Sequence, residues 1–235
     1  MTERPLPPEI DQLSVDPAAP MLILDVDEVL AMFMLGFERF VGRHGLEMRI
    51  TRFALFQNIY RAGASDPIDL ALGSTLFDAF FETEGDDIDP TAGASDAVRR
   101  LSRNATVIIL TNAPEKSRAA RSRWLTRHGF PYPLIMNSGP KGAPVAALSA
   151  LTLGPVAFVD DLLPNLESVA ELAPRVHRFQ MVADERLRPL AFADASRHRR
   201  IDHWPTLGGA IADALGIADP SAPRVTGADG SGKGP

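Results

Sequence analysis

Five short runs rich in apolar residues recur along the chain, at 21–24 (MLIL), 106–110 (TVIIL), 133–136 (PLIM), 156–159 (VAFV) and 176–181. Apolar runs of this length read as strands buried on both faces, and therefore as a parallel sheet. Helical patterns stand between them, at 92–101, 114–127, 141–151 and 165–172. The first places Ala94, Ala97, Val98 and Leu101 on one face; the second opens on Pro114 and stops before Gly129. Strands alternating with helices predict an α/β fold: a doubly wound, mostly parallel sheet covered on both faces.

The interval 31–90 breaks that alternation. It is too long for one crossover helix, and two stretches of it, 32–44 and 68–82, have a helical period, with a further piece near 53–60. Eight of the chain's twelve phenylalanines fall inside it. It reads as a small α-helical subdomain inserted after the first strand. The expected organisation is an extended N-terminal arm over 1–20, a core made of 21–30 and 91–216, the insert over 31–90, and a disordered Pro/Gly/Ser-rich tail over 217–235. A length of 235 residues suits one such domain with a small insert.

Composition removes several classes of function. There is no cysteine, so disulfides, thiolate metal sites and cysteine nucleophiles are excluded. A net charge of -6 offers no footprint for a nucleic-acid polymer. The acidic, proline-rich start is no signal peptide, and no apolar stretch reaches the roughly 18 residues of a membrane span. A cytoplasmic location is expected. The five histidines show no metal-ligand spacing and read as surface or structural residues.

In open parallel sheets, ligands bind beyond the carboxyl ends of the strands. The first run leads into Asp25 and Asp27, the second into Thr111 and Asn112, and the fourth into Asp160 and Asp161, with Asn165 four residues further on. Lys141, one of only three lysines, heads the helix after the third run. Together these groups suit phosphoryl transfer. A carboxylate approaching a phosphate at about 4 Å is repelled by ~1 kcal/mol in water and ~4 kcal/mol at an effective dielectric of 20. A divalent cation removes that obstacle, and magnesium (Mg2+) takes carboxylate oxygens. Asp25 and Asp161 can hold it, with Asp160 a further candidate. Lys141 can hold the phosphate, helped by its helix N-terminus. The Thr111 hydroxyl and the Asn112 N–H can bind the remaining oxygens. Asp27, two residues from Asp25, can reach a leaving-group oxygen as general acid and later activate water. Each piece has a plainer reading: solvated loop acids, turn chemistry at Thr111-Asn112, a surface lysine, an N-cap at 160–161.

The segments LILDVDEVL, VIILTN, SGPKGAP and VAFVDDLLPN resemble, in order, the four motifs of the haloacid dehalogenase (HAD) superfamily, over residues 21–181. The resemblance implies a Rossmann-like HAD core with the insert as its cap. It makes Asp25 the nucleophile and a metal ligand, and Asp27 the acid/base that offers its backbone carbonyl to the metal. Thr111 and Lys141 become phosphate-binding residues, and Asp161 is favoured over Asp160 as the metal ligand. Asn165 stands where many members carry another acid, which implies a supporting role. An acid at position 27 separates phosphatases and phosphomutases from the dehalogenases. Glu28 departs from the pattern, since family phosphatases often have glycine there.

The expected activity is Mg-dependent hydrolysis of a small phosphorylated metabolite, a nucleotide or a sugar phosphate, through an aspartyl-phosphate. A phosphomutase and a non-catalytic binding protein are the alternatives. Phe33, Phe37 and Phe56 are candidates to line a substrate pocket. Arg39, Arg43, Arg52 and Arg61 could meet a substrate anion, with solvated faces as the default reading, and Lys116, near the same crevice, reads as a solvated first-turn residue.

Overall fold

The structure is a computed structural model and describes residues 5–218. In chain order its elements are β1 (Met21–Leu24), α1 (Phe33–Arg43), β2 (Leu46–Met48), β3 (Ile59–Arg61), α2 (Leu70–Thr83), α3 (Ala94–Leu101), β4 (Thr106–Thr111), α4 (Arg118–Arg127), β5 (Leu134–Met136), α5 (Gly142–Ser149), β6 (Val156–Asp160), α6 (Leu163–Leu172), β7 (His177–Gln180), β8 (Arg199–Arg200) and α7 (Trp204–Leu215).

Six strands form one parallel sheet in the order β5-β4-β1-β6-β7-β8. β1 lies inside it, with Leu24 level with Ile109 on one side and Val159 on the other. Side chains on a strand alternate between faces, and the core divides accordingly. Leu22, Leu24, Ile109 and Val159 pack with α3, α4 and α7; Met21, Ile23, Ile108 and Phe158 pack with α5 and α6. The doubly wound sheet expected from the apolar runs is the one observed. No helix among the described residues is long and apolar enough to cross a membrane.

Two core elements escape the sequence pattern. β8 is two arginines long. α7 begins Trp-Pro and contains a Gly-Gly pair, which obscures its period. Gly208 is there for space: a Cβ on it would come within 3.3 Å of Ala97 on α3.

The chain leaves the core beside Ala31 and returns at Pro90, and the two crossings are tied together. The Met32 N–H donates to the Asp89 carbonyl and the Thr91 N–H to the Leu30 carbonyl. Trp124 and Trp204 donate their indole N–H groups to the Ile88 and Val29 carbonyls on either side of this junction. Within the insert, Phe33, Phe37, Phe40, Phe77, Phe80 and Phe81 of α1 and α2 interlock, with ring centroids 4.8–6.4 Å apart. The insert is not purely helical: β2 and β3 form a small antiparallel pair, which the helical reading of 53–60 missed.

The N-terminal segment also differs from expectation. It carries a short 3-10 helix, Pro8–Gln12, and it packs rather than extends freely. Ile10 is buried in the core, Glu9 pairs with Arg118, and the Thr152 hydroxyl donates to the Pro17 and Ala19 carbonyls. The expected disordered tail lies outside the described residues from position 219 onward.

Candidate active site

Parallel register brings the strand ends level. The Asp25 N–H donates to the Val159 carbonyl, so Asp25 stands beside Asp160, the last residue of β6. Thr111 ends β4 on the other side of β1. All three are buried.

Lys141 precedes α5, and its whole side chain runs under the site. Its Nζ lies 2.7 Å from Asp25 Oδ1 and 2.7 Å from Asp160 Oδ2, with its side chain 1% exposed. The next residue explains how the helix gets there. A Cβ on Gly142 would stand 2.3 Å from the Ser168 carbonyl oxygen, so only glycine lets the start of α5 press against α6. The Gly142 N–H donates to the Ser168 hydroxyl and fixes that approach.

The two adjacent acids do different jobs. Asp160 accepts hydrogen bonds from the Leu162 N–H, from the Asn165 amide on both oxygens, and from Lys141. Asn165 thus orients Asp160. No hydrogen bond or ion pair among the described residues reaches the Asp161 carboxylate. Carboxylate oxygens of Asp25, Asp160 and Asp161 lie within 4.8 Å of one another.

Burial and mutual repulsion show in the acidities. Burial pushes the Asp25 carboxyl up to about 7; Lys141 opposes this, while Asp160 and Asp27 add to it. Asp161 is raised well above the ordinary carboxylate range by burial, then by Asp160, Asp25 and Glu28. Burial acts to lower the Lys141 pKa, but Asp160 and Asp25 outweigh it and hold the ammonium above the usual lysine value. Three carboxyl groups share this buried volume with one ammonium. Ionising all three together is costly without a further cation, and the all-oxygen donor set fits a hard divalent one.

Asp27 is engaged elsewhere. Its two oxygens accept from Arg121 Nη2 at 2.8 and 3.0 Å. Arg121 is fully buried on α4, between the rings of Phe81 and Trp124, and its Nε and Nη1 have no partner among the described residues. The sequence reading missed this residue. The available signal was its spacing: Arg121 shares a helical face with Trp124 and Leu125, three and four residues on, where an apolar residue is the norm.

Glu28 points inward. It is the one non-glycine residue with positive φ, at 58°, among the described residues. One carboxylate oxygen accepts from the Met34 N–H at the head of α1, the other from the Asp184 N–H. Burial pushes its pKa up to about 7. A glycine would sit more easily in this backbone, but it would lack the carboxylate that ties the insert to the 184 loop.

Above these groups lies a cavity of about 220 Å³. Asp25, Asp27, Glu28, Asn112, Lys141, Asp161 and Asn165 line its polar end. Thr111 is not among the lining residues; its hydroxyl accepts from the Ala113 N–H at 3.3 Å. Asn112 holds the neighbouring loop through Gly139 and Asn137. Of the expected ring candidates only Phe33 reaches the cavity; Phe53 and Phe77, not Phe37 or Phe56, accompany it. Lys116 is outside, paired with Glu82 and Asp78. None of the insert's arginines lines the cavity.

No family model matches the chain, and no curated protein matches it. Solved structures do. A haloacid dehalogenase-like protein of unknown function from Agrobacterium tumefaciens is 18% identical, with TM-score 0.56 over 82% of this chain and 97% of its own. A provisionally named phosphoglycolate phosphatase from Lactobacillus plantarum is 16% identical, with TM-score 0.53 over 81% and 98%. A substituted CbbY from Rhodobacter sphaeroides, in complex with xylulose-1,5-bisphosphate, is 17% identical, with TM-score 0.52 over 81% and 96%. These likenesses establish the fold.

Proposed function

The chain has the haloacid dehalogenase-like fold, and from that premise we propose that it is a magnesium-dependent phosphohydrolase acting on a small phosphorylated metabolite through Asp25. One observation carries the reading: Asp25 and Asp160 share a single buried ammonium, Lys141, and an Asp161 carboxylate oxygen lies within 4.8 Å of theirs.

Asp25, Asp161 and the Asp27 backbone carbonyl would hold the magnesium ion, which supplies the positive charge that keeps the carboxylates ionised beside a phosphate. Asp160, already bound to Lys141 and Asn165, positions the lysine instead of serving as the principal ligand. Lys141 then holds the phosphate while one Asp25 oxygen attacks phosphorus. The loop at Asn112, which lines the cavity, binds other phosphate oxygens, and the buried Thr111 hydroxyl supports that loop through the Ala113 N–H. As the bond from phosphorus to the leaving oxygen breaks, Asp27 gives that oxygen a proton. Asp27 then takes a proton from water, whose oxygen displaces Asp25 from phosphorus and regenerates the free carboxylate. Arg121 positions Asp27 for both steps. The insert over 31–90 acts as the cap that excludes bulk water from the aspartyl-phosphate.

The test is phosphate release from a panel of monoesters, with and without Mg2+, for the native chain and Asp25→Asn. The native chain should turn over with added Mg2+ and stop with a chelator. Asp25→Asn should lose about 10⁴-fold or more in kcat. Release that ignores Mg2+, or survives loss of Asp25, would overturn the reading.

A further inference from the structure

Much of the cavity's lining is apolar. Phe33 and Met34 of α1, Phe53 and Leu55 before β3, and Phe77 of α2 form this apolar wall. None of these side chains carries a hydroxyl, an amide or a charge. Among the described residues Lys141 is the only cation lining the cavity, and both of its carboxylate contacts lie at the phosphate end. The insert's arginines are spent elsewhere: Arg39 on Asp89, Arg43 on Glu84, Arg49 on Glu47 and the face of Tyr60. Arg52 and Arg61 are exposed and do not line it.

A second anionic group on the substrate would therefore enter an apolar wall with no cation to meet it. Burying an unpaired charge is among the costliest events in a protein. A polyol fares little better, because each hydroxyl that loses water without a new partner is penalised. An apolar group gains in proportion to the area it removes from water. Size sets a further limit. An apolar cavity of about 150 Å³ takes up a benzene ring, and the 220 Å³ here must also admit the phosphate.

Resting on the phosphohydrolase reading above, we infer that the substrate is the phosphate monoester of a small, uncharged, apolar alcohol or phenol. Sugar bisphosphates and phosphorylated acids are excluded by the same wall. In the reaction, the bond between phosphorus and the alcohol oxygen breaks, a bond from phosphorus to Asp25 forms, and the Asp27 proton passes to the alcohol. Water then returns the phosphate to solution and the proton to Asp27.

The experiment compares benzyl phosphate, glucose 6-phosphate and phosphoglycolate at equal Mg2+, and separately measures binding of benzylphosphonate and phosphonoacetate by calorimetry. Benzyl phosphate should lead in kcat/KM by about 100-fold or more, and benzylphosphonate should bind more tightly than phosphonoacetate. Phe53→Lys, on a loop, should shrink the benzyl-to-phosphoglycolate ratio by about tenfold. A polyol or anionic ester that equals benzyl phosphate, or a ratio that Phe53→Lys leaves unmoved, would overturn the inference alone. If no ester releases phosphate, the phosphohydrolase reading falls; the phosphonate pair then decides independently what the apolar wall accepts.

Discussion

The floor and the roof of the cavity are held by opposite forces. The floor is a set of charges at strand ends, buried together and kept in place by a sheet whose register leaves them no freedom. The roof is a cluster of phenylalanines on two helices, held by area and ring packing with scarcely a directional bond. Ion pairs between roof and core, such as Arg186 with Glu38 and Lys116 with Glu82, sit in solvent. Charges fix chemistry to within a bond length. Rings tolerate rearrangement and select by polarity and volume. Phe81 joins the two systems, because its ring lies 5.2 Å from the Arg121 guanidinium that holds Asp27.

The sharpest way to break the floor is Lys141→Met. It leaves Asp25 and Asp160 buried without their shared cation, which should cost about 3–5 kcal/mol in denaturant unfolding and abolish turnover. The roof's counterpart is Phe80→Ala, which removes a fully buried ring touching Phe33, Phe37, Phe40 and Phe81. It should cost about 3–4 kcal/mol while leaving the floor's chemistry measurable at low temperature.

Acidity makes the floor sensitive to pH. Glu28, ordinarily 4.5, and Asp25, ordinarily 3.8, are each pushed up to about 7, first by burial. The unfolded chain gives up these protons at lower pH than the folded one, so between those values the folded state binds more protons. Stability is fully present below the ordinary values and is lost as pH rises through about 7. For Glu28 alone the loss should reach about 3 kcal/mol in the metal-free protein. Melts in chelator across pH 4 to 8 should show that decline, and Glu28→Gln should remove the Glu28 share of it while the part due to Asp25 remains.

Arg121→Met tests the junction. If Arg121 positions Asp27, hydrolysis of an alkyl phosphate, whose leaving oxygen needs a proton, should fall about tenfold more than hydrolysis of p-nitrophenyl phosphate. Equal losses would make Arg121 merely structural. The smallest effect belongs to the exposed rim: Arg39→Ala, which breaks a solvent-facing pair with Asp89, should shift stability by less than about 1 kcal/mol and leave kcat/KM unchanged.

Legibility followed the same division. Asp25, Thr111 and Asp160 could be found because a strand buried on both faces is written as an apolar run, and the first polar residue after it marks the strand's end. Lys141 could be found because lysine is scarce. The expectation that Phe37 and Phe56 line the cavity was not met, since a ring's position on a helix says nothing about which neighbour it faces. Arg121 escaped because its meaning depends on Asp27, far away in the chain. Glu28 looked like a surplus charge until its two backbone donors were in view.

The sequence by itself determined five of the sheet's strands, most of the covering helices and the inventory of groups at the strand ends, because these follow from local periodicity and from the polarity of each residue. Only the tertiary structure decided which oxygens Lys141 binds, that Asp160 is occupied while Asp161 is open, that Asp27 rests on a buried arginine, and that the roof is apolar throughout. Those are facts about distance between segments remote in the chain, and distance is set by packing, which no single stretch of sequence encodes.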